Sequence, residues 1–272
     1  MNRKLLAMDL DGTTVDSDGR LPVQVREAIR AARAVGHVAA FVSGRADTDM
    51  IPFDEECRVV DYIILNNGAK VIRVSDWTVL HNELLDQEGA ARLVNFCLEK
   101  GLQAYVVNGR EWYVNRWSIR LQNYIDKLGY GPVYFERADQ LPLHHIEGLT
   151  VFGNTGQVCN FVKEGNFGLR AVVSAEGCTD ILNKGTDKWR GIEKLLELLN
   201  MATEDVIAVG DYENDLEMIS HAGIGVAVGN ALDCVKTMAD YVTVRDNNHG
   251  AVADMINQLV MERVEGLCVK TN

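Results

Sequence analysis

Two aspartates near the start of the chain, Asp9 and Asp11, are the residues whose type and spacing most suggest chemistry. They belong to the hexapeptide Asp9-Leu10-Asp11-Gly12-Thr13-Thr14, which follows the apolar run Leu5-Leu6-Ala7-Met8. The apolar run predicts a buried strand, and the Asp-Gly pair predicts that the strand ends in a turn. Because alternate residues of a strand point to the same side, both carboxylates can face one reacting atom, one as nucleophile and one to transfer protons. By itself the hexapeptide also fits a strand followed by an ordinary turn.

Three later segments carry side chains that suit a phosphorylated ligand. In Ser43-Gly44-Arg45, a hydroxyl and backbone N–H groups beside a glycine can hold a phosphate oxygen. Lys188 adds a positive charge to the predicted start of a helix, which is itself a good anion site. The acidic segment Gly210-Asp211-Tyr212-Glu213-Asn214-Asp215 offers hard oxygen ligands of the kind that Mg2+ takes. Each segment also has a plain alternative: a common turn, a solvated lysine, and helix capping by Asn214 or Asp215.

Four apolar runs that end in small or polar residues must position these side chains. Near-continuous apolar runs of this length fit strands buried on both faces of a parallel sheet that helices cover. Helical patterns lie between them, at Pro22 to Val35 and at Trp189 to Leu199, the latter with Asp187 as its N-cap. The sequence therefore predicts an α/β fold, a doubly wound, Rossmann-like parallel sheet whose strands end at one rim, where ligands bind. The four runs are Leu5 to Asp11, Val38 to Ser43, Tyr62 to Asn67 and Val206 to Asp211, and Ile224 to Val228 and Tyr241 to Val244 are further candidate strands.

The middle of the chain reads differently and predicts an inserted α+β cap domain over residues 82–182. It has a helical pattern from Asp86 to Lys100, strand-like runs at Gln103 to Val107 and Trp112 to Asn115, and a second helix from Ile119 to Leu128. A hairpin follows, with Arg170 to Ala175 and Cys178 to Leu182 joined at Glu176-Gly177. Residues 1–81 and 183–272 are predicted to form one discontinuous core domain.

Composition limits the classes of protein to consider. The 272 residues carry a formal net charge of -12, which disfavours a nucleic-acid binder and requires that local positive charge hold any anionic substrate. No apolar stretch approaches the length of a membrane span, so no membrane partner is expected. The six cysteines, Cys57, Cys97, Cys159, Cys178, Cys234 and Cys268, contain no CxxC pair, which favours reduced thiols in a cytoplasmic protein.

Four ordered groups of residues resemble the motifs of the haloacid-dehalogenase superfamily of phosphatases. Two more resemble its Cof-type sugar-phosphatase branch, in which a large α/β cap is inserted between the second and third motifs. Four motifs in the right order are specific, whereas any one of them is weak. The groups are Asp9-Leu10-Asp11-Gly12-Thr13, Ser43, Lys188, and Gly210-Asp211 with Asn214-Asp215; the branch matches are Asn67-Gly68-Ala69 and Asn230-Ala231.

The resemblance implies a Mg2+-dependent phosphomonoester hydrolase. Asp9 would attack phosphorus and become an aspartyl-phosphate, while Asp11 would protonate the leaving alkoxide and then activate water. Mg2+ would be held by Asp9, the backbone carbonyl of Asp11, and Asp211, with Asp215 in support. Ser43, Gly44 and Lys188 would bind the phosphoryl group and neutralise its charge, and Asn214 would help to orient the phosphate or Lys188.

Substrate choice is expected to reside in the cap, because the core sees only the phosphate. A small phosphomonoester, with a sugar phosphate as the branch-level expectation, is the predicted partner of a monomeric protein. Aromatic faces can stack on sugars, and arginine can bind hydroxyls or a second anionic group. The cap residues with suitable chemistry are Trp112, Tyr113, Arg116, Trp117, Arg120, His144 and His145, although most tryptophans pack a core instead.

Two other functions remain open at this point. A phosphomutase of the same superfamily would protect the aspartyl-phosphate from water and return it, and the motifs do not exclude this. A non-catalytic sensor of phosphorylated ligands would normally have lost one of Asp9, Asp11 or Asp211, and all three are present. A dinucleotide-binding dehydrogenase is disfavoured, because the glycine-rich segment from Gly223 to Gly229 lacks the required spacing and lies late in the chain.

Overall fold

The structure is a computed structural model that describes residues 3–261. Residues 262–272, which include Cys268 and the end of the predicted core domain, lie outside the described residues. The other five cysteines are free thiols. None of the helices in the described part of the chain is long and apolar enough to cross a membrane.

Within residues 3–261 the chain forms fourteen strands and ten α-helices. The strands are β1 Leu5–Met8, β2 Val38–Val42, β3 Tyr62–Leu65, β4 Lys70–Arg73, β5 Thr78–Asn82, β6 Gln103–Asn108, β7 Glu111–Val114, β8 Val133–Tyr134, β9 Gly148–Phe152, β10 Leu169–Ala175, β11 Cys178–Asn183, β12 Val206–Gly210, β13 Ile224–Ala227 and β14 Tyr241–Val242. The helices are α1 Val23–Ala34, α2 Asp47–Met50, α3 Asp54–Cys57, α4 Gln87–Lys100, α5 Ile119–Leu128, α6 Thr155–Gly165, α7 Lys188–Leu199, α8 Leu216–His221, α9 Asp233–Met238 and α10 Ala251–Ile256.

Eight strands form one sheet in the order β14-β13-β12-β1-β2-β3-β4-β5. The pairs from β14 to β3 are parallel, and the antiparallel strands β4 and β5 extend the sheet beyond β3. Strand β1 is fully buried, as is expected of a strand covered on both faces. Residues of α1, α7 and α10 pack with these strands in one large apolar core. The predicted α/β fold with a parallel-sheet core is confirmed.

The strand order reverses its direction at β1. From β1 the chain adds β2 and β3 on one side, and it later adds β12, β13 and β14 on the other. In register, Met8 pairs with Phe41 of β2 and Val209 of β12, so the carboxyl ends of these three strands lie at one edge. Such a switch point leaves a crevice beyond the strand ends, which is where open α/β sheets bind ligands.

Six strands of the middle region form a second sheet, in the order β10-β11-β9-β6-β7-β8. Strand β6 shows how its two faces differ, because alternate side chains point to opposite sides. Ala104 and Val106 pack in an apolar cluster with residues of α4 and α6, whereas Tyr105 and Val107 pack with Trp112 and with α5. The face that carries Tyr105 is the one turned toward the first sheet, since its hydroxyl lies 2.9 Å from that of Thr48.

Most predicted elements lie within one or two residues of the observed ones, but two differences matter. Strands β4 and β5 were not predicted, because neither has a continuous apolar run: β4 has only Val71 and Ile72 between two basic residues, and β5 is largely half-exposed. Strand β1 ends at Met8, and residues 10–14 form a tight turn in which Gly12 has a positive φ of 78°. Asp9 and Asp11 therefore do not alternate along a strand, and the prediction that alternation along β1 places both carboxylates on one side was wrong.

Candidate active site

The ends of β1, β2 and β12 bring three of the predicted site residues to one edge of the first sheet. Asp9 follows β1, and its N–H donates to the carbonyl of Val209 at 3.0 Å. Ser43 follows β2, and Asp211 follows β12. All three line the same cavity of about 620 Å³. The topology alone thus explains why residues so distant in sequence meet.

Lys188, the first residue of α7, joins the first and last acidic motifs. Its Nζ lies 2.6 Å from Oδ1 of Asp9 and 2.6 Å from Oδ1 of Asp215, and all three side chains are buried. Burial alone would lower the pKa of Lys188, but the two carboxylates outweigh it and raise the pKa, so the ammonium is charged. Lys188 lies behind Asp9 and does not line the cavity, so a direct contact with phosphate stays a prediction.

The three carboxylates Asp9, Asp211 and Asp215 form a compact cluster, with one oxygen of each within 4.8 Å of the others. Asp215 uses both of its oxygens, Oδ1 for Lys188 and Oδ2 for the N–H groups of Asp211 and Tyr212. Asp9 and Asp211 each accept a side-chain hydrogen bond at Oδ1, from Lys188 and from Thr13. Asp9 and Asp211 are thus better placed than Asp215 to offer an oxygen to a cation.

The charge balance of this cluster fits a bound divalent cation. Three carboxylates face one lysine, and burial together with carboxylate repulsion raises the pKa of Asp9 well above its usual value. Burial is also the main cause that raises the pKa of Asp211 to about 6, and Asp215 adds to it. A cation held by the oxygens of Asp9 and Asp211 would offset the excess negative charge, and oxygen donors of this kind suit Mg2+.

Gly12 allows Asp211 to approach the turn after β1. A Cβ atom on Gly12 would lie 2.4 Å from Oδ2 of Asp211, which is far inside van der Waals contact. The positive φ of Gly12 also disfavours any other residue. Glycine is therefore required here both for the turn and for the position of the Asp211 carboxylate.

Asp11 lies apart from the carboxylate cluster and is bound by Arg45. Nε and Nη2 of Arg45 donate to Oδ2 and Oδ1 of Asp11 at 2.9 and 2.7 Å. The Asp11 side chain is 62% exposed, whereas that of Arg45 is 15% exposed. Asp11 and Arg45 both line the cavity, so the second aspartate faces the same space as Asp9 from a different element.

A turn after β3 ties the second and fourth motifs together. The N–H groups of Asn66 and Asn67 donate to the carbonyls of Arg45 and Ser43 at 3.0 Å each, and both asparagines have a positive φ. Asn67 Oδ1 accepts from Nδ2 of Asn214 at 2.9 Å. The predicted role of Asn214 toward Lys188 has no matching contact among residues 3–261; Asn214 instead contacts Asn67.

Two glycines permit this arrangement. A Cβ atom on Gly44 would lie 3.0 Å from Nδ2 of Asn67, so Gly44 leaves room for the asparagine. A Cβ atom on Gly68 would lie 1.9 Å from the carbonyl oxygen of Asp187, the N-cap of α7, whose side chain accepts from the N–H of Arg190. Gly68 therefore lets the helix that carries Lys188 approach the strand ends closely.

The second sheet supplies the opposite wall of the cavity. Thr48 and Asp49 of α2 hydrogen-bond the hydroxyls of Tyr105 and Tyr124, which joins the two walls. The lining residues from the second sheet and its helices include Gln103, Tyr105, Val107, Arg120, Asn123, Tyr124, Lys127, Thr150, Phe152, Ser174, Cys178 and Asp180.

Of the seven cap residues predicted to contact substrate, only Arg120 lines the cavity. Trp112 is buried behind the wall, against the rings of Tyr105 and Tyr124. Tyr113 donates to Glu111, and Arg116 donates to the carbonyl of Gly101, both away from the cavity. Trp117, His144 and His145 are exposed elsewhere on the surface. Residue type alone does not show which way a side chain faces, so it could not distinguish these positions from those that line the cavity.

The sequence reasoning missed Arg45, Asn66 and Asp180 as candidate site residues. Arg45 adjoins Ser43 and Gly44, so its place in the motif was a usable signal. Asp180 is the middle residue of Thr179-Asp180-Ile181 in β11, where the flanking side chains are buried and the acid must point to the other face. An acidic residue on the inward face of a strand is a detectable signal, but only once the face is known.

The chain is similar to known hydrolases over most of its length. Residues 6–256 match the family of haloacid dehalogenase-like hydrolases. The phosphatase YwpJ of Bacillus subtilis (strain 168) is 28% identical over 287 residues, covering 94% of this chain and 100% of its own. The pyridoxal phosphate phosphatase YbhA of Escherichia coli (strain K12) is 28% identical, covering 94% and 98%. The solved structure of BT4131, a sugar phosphatase of haloacid-dehalogenase subclass IIB, superposes with a TM-score of 0.82 at 26% identity, covering 94% of this chain and 98% of that one.

Proposed function

The chain belongs to the haloacid dehalogenase-like hydrolases and is a phosphatase, and from its site we propose that it hydrolyses small phosphomonoesters through an aspartyl-phosphate on Asp9. One observation carries the proposal. Asp9 is held by Lys188 at 2.6 Å and opens onto a cavity that Asp11 also lines, so a nucleophile and a proton carrier face one space. The cavity is large enough for a phosphorylated metabolite.

The phosphoryl group is proposed to lie between Asp9 and the turn after β2. The Ser43 hydroxyl is buried at the edge of the cavity, where its oxygen accepts from the N–H of Arg45 at 3.1 Å and its hydrogen is left to donate to a phosphate oxygen. Gly44 lines the same space without a side chain that would obstruct the ligand. Asn214, fixed by Asn67, contributes a further polar group.

The proposed reaction has two steps. A carboxylate oxygen of Asp9 attacks phosphorus, the bond from phosphorus to the ester oxygen breaks, and that oxygen takes a proton from Asp11. Asp11, now a carboxylate, removes a proton from water as the water oxygen attacks phosphorus. The bond from phosphorus to the Asp9 oxygen breaks, which releases inorganic phosphate and restores the Asp9 carboxylate. Lys188 keeps Asp9 in position and balances part of its charge throughout.

Mg2+ is the proposed cofactor, with Asp9 and Asp211 as the side chains that would hold it and Asp215 in support. When bound, the ion supplies positive charge that neutralises the phosphoryl group and the carboxylates. Asp215 positions the site from behind, through Lys188 and through the N–H groups of Asp211 and Tyr212. Thr13 fixes the Asp211 carboxylate by donating to Oδ1 at 2.8 Å.

The second sheet is proposed to act as a cap that selects the substrate, over residues 82–182, with residues 1–81 and 183–272 as the catalytic core. Support comes from the cavity, whose catalytic wall is built by the first sheet and whose remaining wall is built by the second. Sugar phosphates are the proposed substrates, in line with the subclass IIB neighbour named above. A cytoplasmic location, consistent with five free cysteines, and a monomeric state belong to the same proposal.

The experiment that tests the function is phosphate release across a panel of phosphomonoesters, with and without Mg2+. Metal-dependent release is expected, with the cap determining the order of substrates. Isomerised sugar phosphate in place of free phosphate would indicate a mutase. Absence of both products for every ester would contradict the proposal.

A further inference from the structure

The cavity contains a carboxylate that the proposed reaction does not use. Asp180 of β11 accepts hydrogen bonds from Oγ1 of Thr150 at 2.9 Å and from Nδ2 of Asn67 at 3.4 Å. It lies deep in the protein, and the part of its surface that remains accessible faces the cavity that Asp9 also lines. Burial is the main cause of the raised pKa of Asp180, which hydrogen bonds from Thr150, Ser174 and Asn67 only partly offset.

Asp180 forms no ion pair with a lysine, arginine or histidine among residues 3–261. The charge that acts on it is the carboxylate of Asp49, which has the same sign. An ionised carboxylate can accept about four hydrogen bonds, and Thr150, Ser174 and Asn67 supply three of them, so at least one acceptor position is left for a ligand in the cavity that this carboxylate lines. A buried carboxylate in this state is stabilised when a ligand supplies a donor.

One side chain, that of Asn67, connects Asp180 to the segments proposed to bind phosphate. Asn67 contacts it with Nδ2, accepts from Asn214 with Oδ1, and packs against Gly44. A phosphoryl group at Ser43 and Gly44 therefore places the alcohol part of the substrate toward Asp180. The Asp180 carboxylate makes no hydrogen bond to Asp9 or Asp11, and it is placed to contact a group of the substrate next to the phosphoryl group.

Asn66 lines the same cavity and carries a donor without a partner in the described part of the chain. Nδ2 of Asn66 is buried and makes no hydrogen bond to any described residue. A hydroxyl group both donates and accepts, so hydroxyls on adjoining carbons complement a carboxylate and an amide N–H. An alkyl chain would leave both protein groups unsatisfied, which is costly in a buried site.

We propose that Asp180 is a specificity-determining residue that accepts a hydrogen bond from a substrate hydroxyl, while the Asn66 amide donates to a hydroxyl of the same substrate. The substrate class is then a phosphomonoester of a polyol or sugar rather than of an alkyl alcohol. The inference rests on the proposed phosphatase function and assigns the part of the site that recognises the alcohol.

The test compares two phosphate esters of equal carbon number, sorbitol 6-phosphate and n-hexyl phosphate. The ratio of their kcat/KM values is measured for the wild type, for Asp180→Ala and for Asp126→Ala. Asp126 is an exposed aspartate of α5 that does not line the cavity, so it controls for loss of an acidic side chain from the cap. We expect Asp180→Ala to lower the ratio by about tenfold or more, the usual value of a hydrogen bond to a charged group, and Asp126→Ala to leave it unchanged.

An unchanged ratio in Asp180→Ala would overturn the inference. If both kcat/KM values also stay at the wild-type level, the carboxylate does not recognise hydroxyls; if both fall by the same factor, Asp180 only positions Asn67. If Asp180→Ala does not fold, as judged by its circular dichroism and melting temperature, Asp180→Asn keeps the shape and the Thr150 contact. Asp180→Asn is expected to lower the ratio by a smaller factor, because a neutral acceptor forms a weaker hydrogen bond, and an unchanged ratio would again overturn the inference.

The same assay distinguishes this inference from the proposed function. If the wild type releases no phosphate from either ester or from p-nitrophenyl phosphate, the phosphatase proposal fails. If it releases phosphate but Asp180→Ala keeps the wild-type ratio, only the assignment of Asp180 fails.

Discussion

The guanidinium of Arg45 binds the carboxylate of Asp11 through two hydrogen bonds, at 2.9 and 2.7 Å. Two such bonds fix both the position and the plane of a carboxylate, which a lysine cannot do. Arg45 is itself held against the ring of Phe53, 5.3 Å from its centroid. Because Asp11 is otherwise exposed, Arg45 is the group that determines where the proposed proton carrier points.

Arg45→Met should therefore lower kcat more than it raises KM. We expect a loss of about tenfold to a hundredfold for sugar and polyol phosphates, since a misplaced general acid forfeits part of its contribution. Arg73→Met is a matched control, because Arg73 forms the same pair of hydrogen bonds with Asp76 but does not line the cavity. Steady-state kinetics of both variants check this, and equal effects on the two would contradict a specific role for Arg45.

Asp11→Asn should show a dependence on the leaving group. An alkoxide needs a proton as it departs, whereas p-nitrophenolate is stable without one. We therefore expect a loss of about a hundredfold or more in kcat for sugar and polyol phosphates, whose leaving group is an alkoxide, and a clearly smaller loss in the first step for p-nitrophenyl phosphate. Burst kinetics, which separate release of p-nitrophenolate from release of phosphate, provide the measurement. Equal losses of the first step with both esters would rule out Asp11 as the general acid.

Gly12→Ala should disturb the metal site, whereas Gly19→Ala should not. Both glycines have a positive φ, 78° and 74°, so both substitutions carry a similar backbone cost, of order 1 kcal/mol. Only at Gly12 would the new Cβ meet Asp211, at 2.4 Å from Oδ2, while nothing lies within 4 Å of the Cβ at Gly19. The Mg2+ concentration that gives half-maximal activity should rise for Gly12→Ala alone. The same Mg2+ requirement in both variants would count against Asp211 as a ligand.

A buried ion cluster lies between the two sheets, and it should make the free energy of unfolding depend on pH. Nζ of Lys70 lies 2.9 Å from Asp47 and 2.7 Å from Glu147, and Glu147 also accepts from Asn82 and from the N–H of Gly109. Lys70→Met would leave two carboxylates without their cation. We expect it to lower the free energy of unfolding by about 3 kcal/mol. Lys194 forms an exposed ion pair with Glu197, so Lys194→Met should cost less than about 0.5 kcal/mol. Urea denaturation of the two variants would show this, and equal effects would contradict it.

The pH dependence of this cluster follows from the direction of each pKa shift. Burial would raise the pKa of Glu147, but the bonds from Lys70 and the other donors outweigh it and lower the pKa below the usual 4.5. Glu147 thus stabilises the fold above pH 4.5, and this contribution is lost as pH falls through its lowered pKa. The pKa shift of Asp47 has the opposite sign, because burial raises the pKa of that carboxyl. The difference in unfolding free energy between the wild type and Glu147→Gln isolates Glu147. It should shrink as pH falls below about 4.5, and a difference that stays constant would contradict the assignment.

The sequence was sufficient to predict the core of the fold and the site residues that lie at the ends of its strands. The strands β1, β2, β3 and β12 are nearly continuous apolar runs, and a run of that kind has few other ways to be buried. Parallel strands end at one edge, so Asp9, Ser43 and Asp211 could be brought together by topology alone. Lys188 was identified because a lysine at the positive end of a helix needs an anionic partner. In the structure its partners are Asp9 and Asp215.

The residues of the second sheet that line the cavity could not be predicted from the sequence, for a physical reason. Which side of a strand faces the cavity depends on packing against helices far along the chain. Trp112 and Tyr105 neighbour each other on one face of the second sheet, yet Tyr105 lines the cavity and Trp112 lies behind it. The pairing of Asp11 with Arg45 likewise depends on the turn at Gly12, which ends β1 earlier than the apolar pattern indicated.

Asp9→Asn is the most direct test of the account. Asparagine keeps the size of the side chain and leaves Lys188 its second partner, Asp215, so the variant is expected to fold with a similar melting temperature. Phosphate release should be measured for wild type and variant with saturating Mg2+ and a phosphomonoester that the wild type hydrolyses. We predict that turnover by the folded variant falls below detection, because an amide cannot attack phosphorus. Release within about tenfold of the wild-type rate, a difference of only about 1.4 kcal/mol in the barrier, would contradict the assignment of Asp9 as the nucleophile.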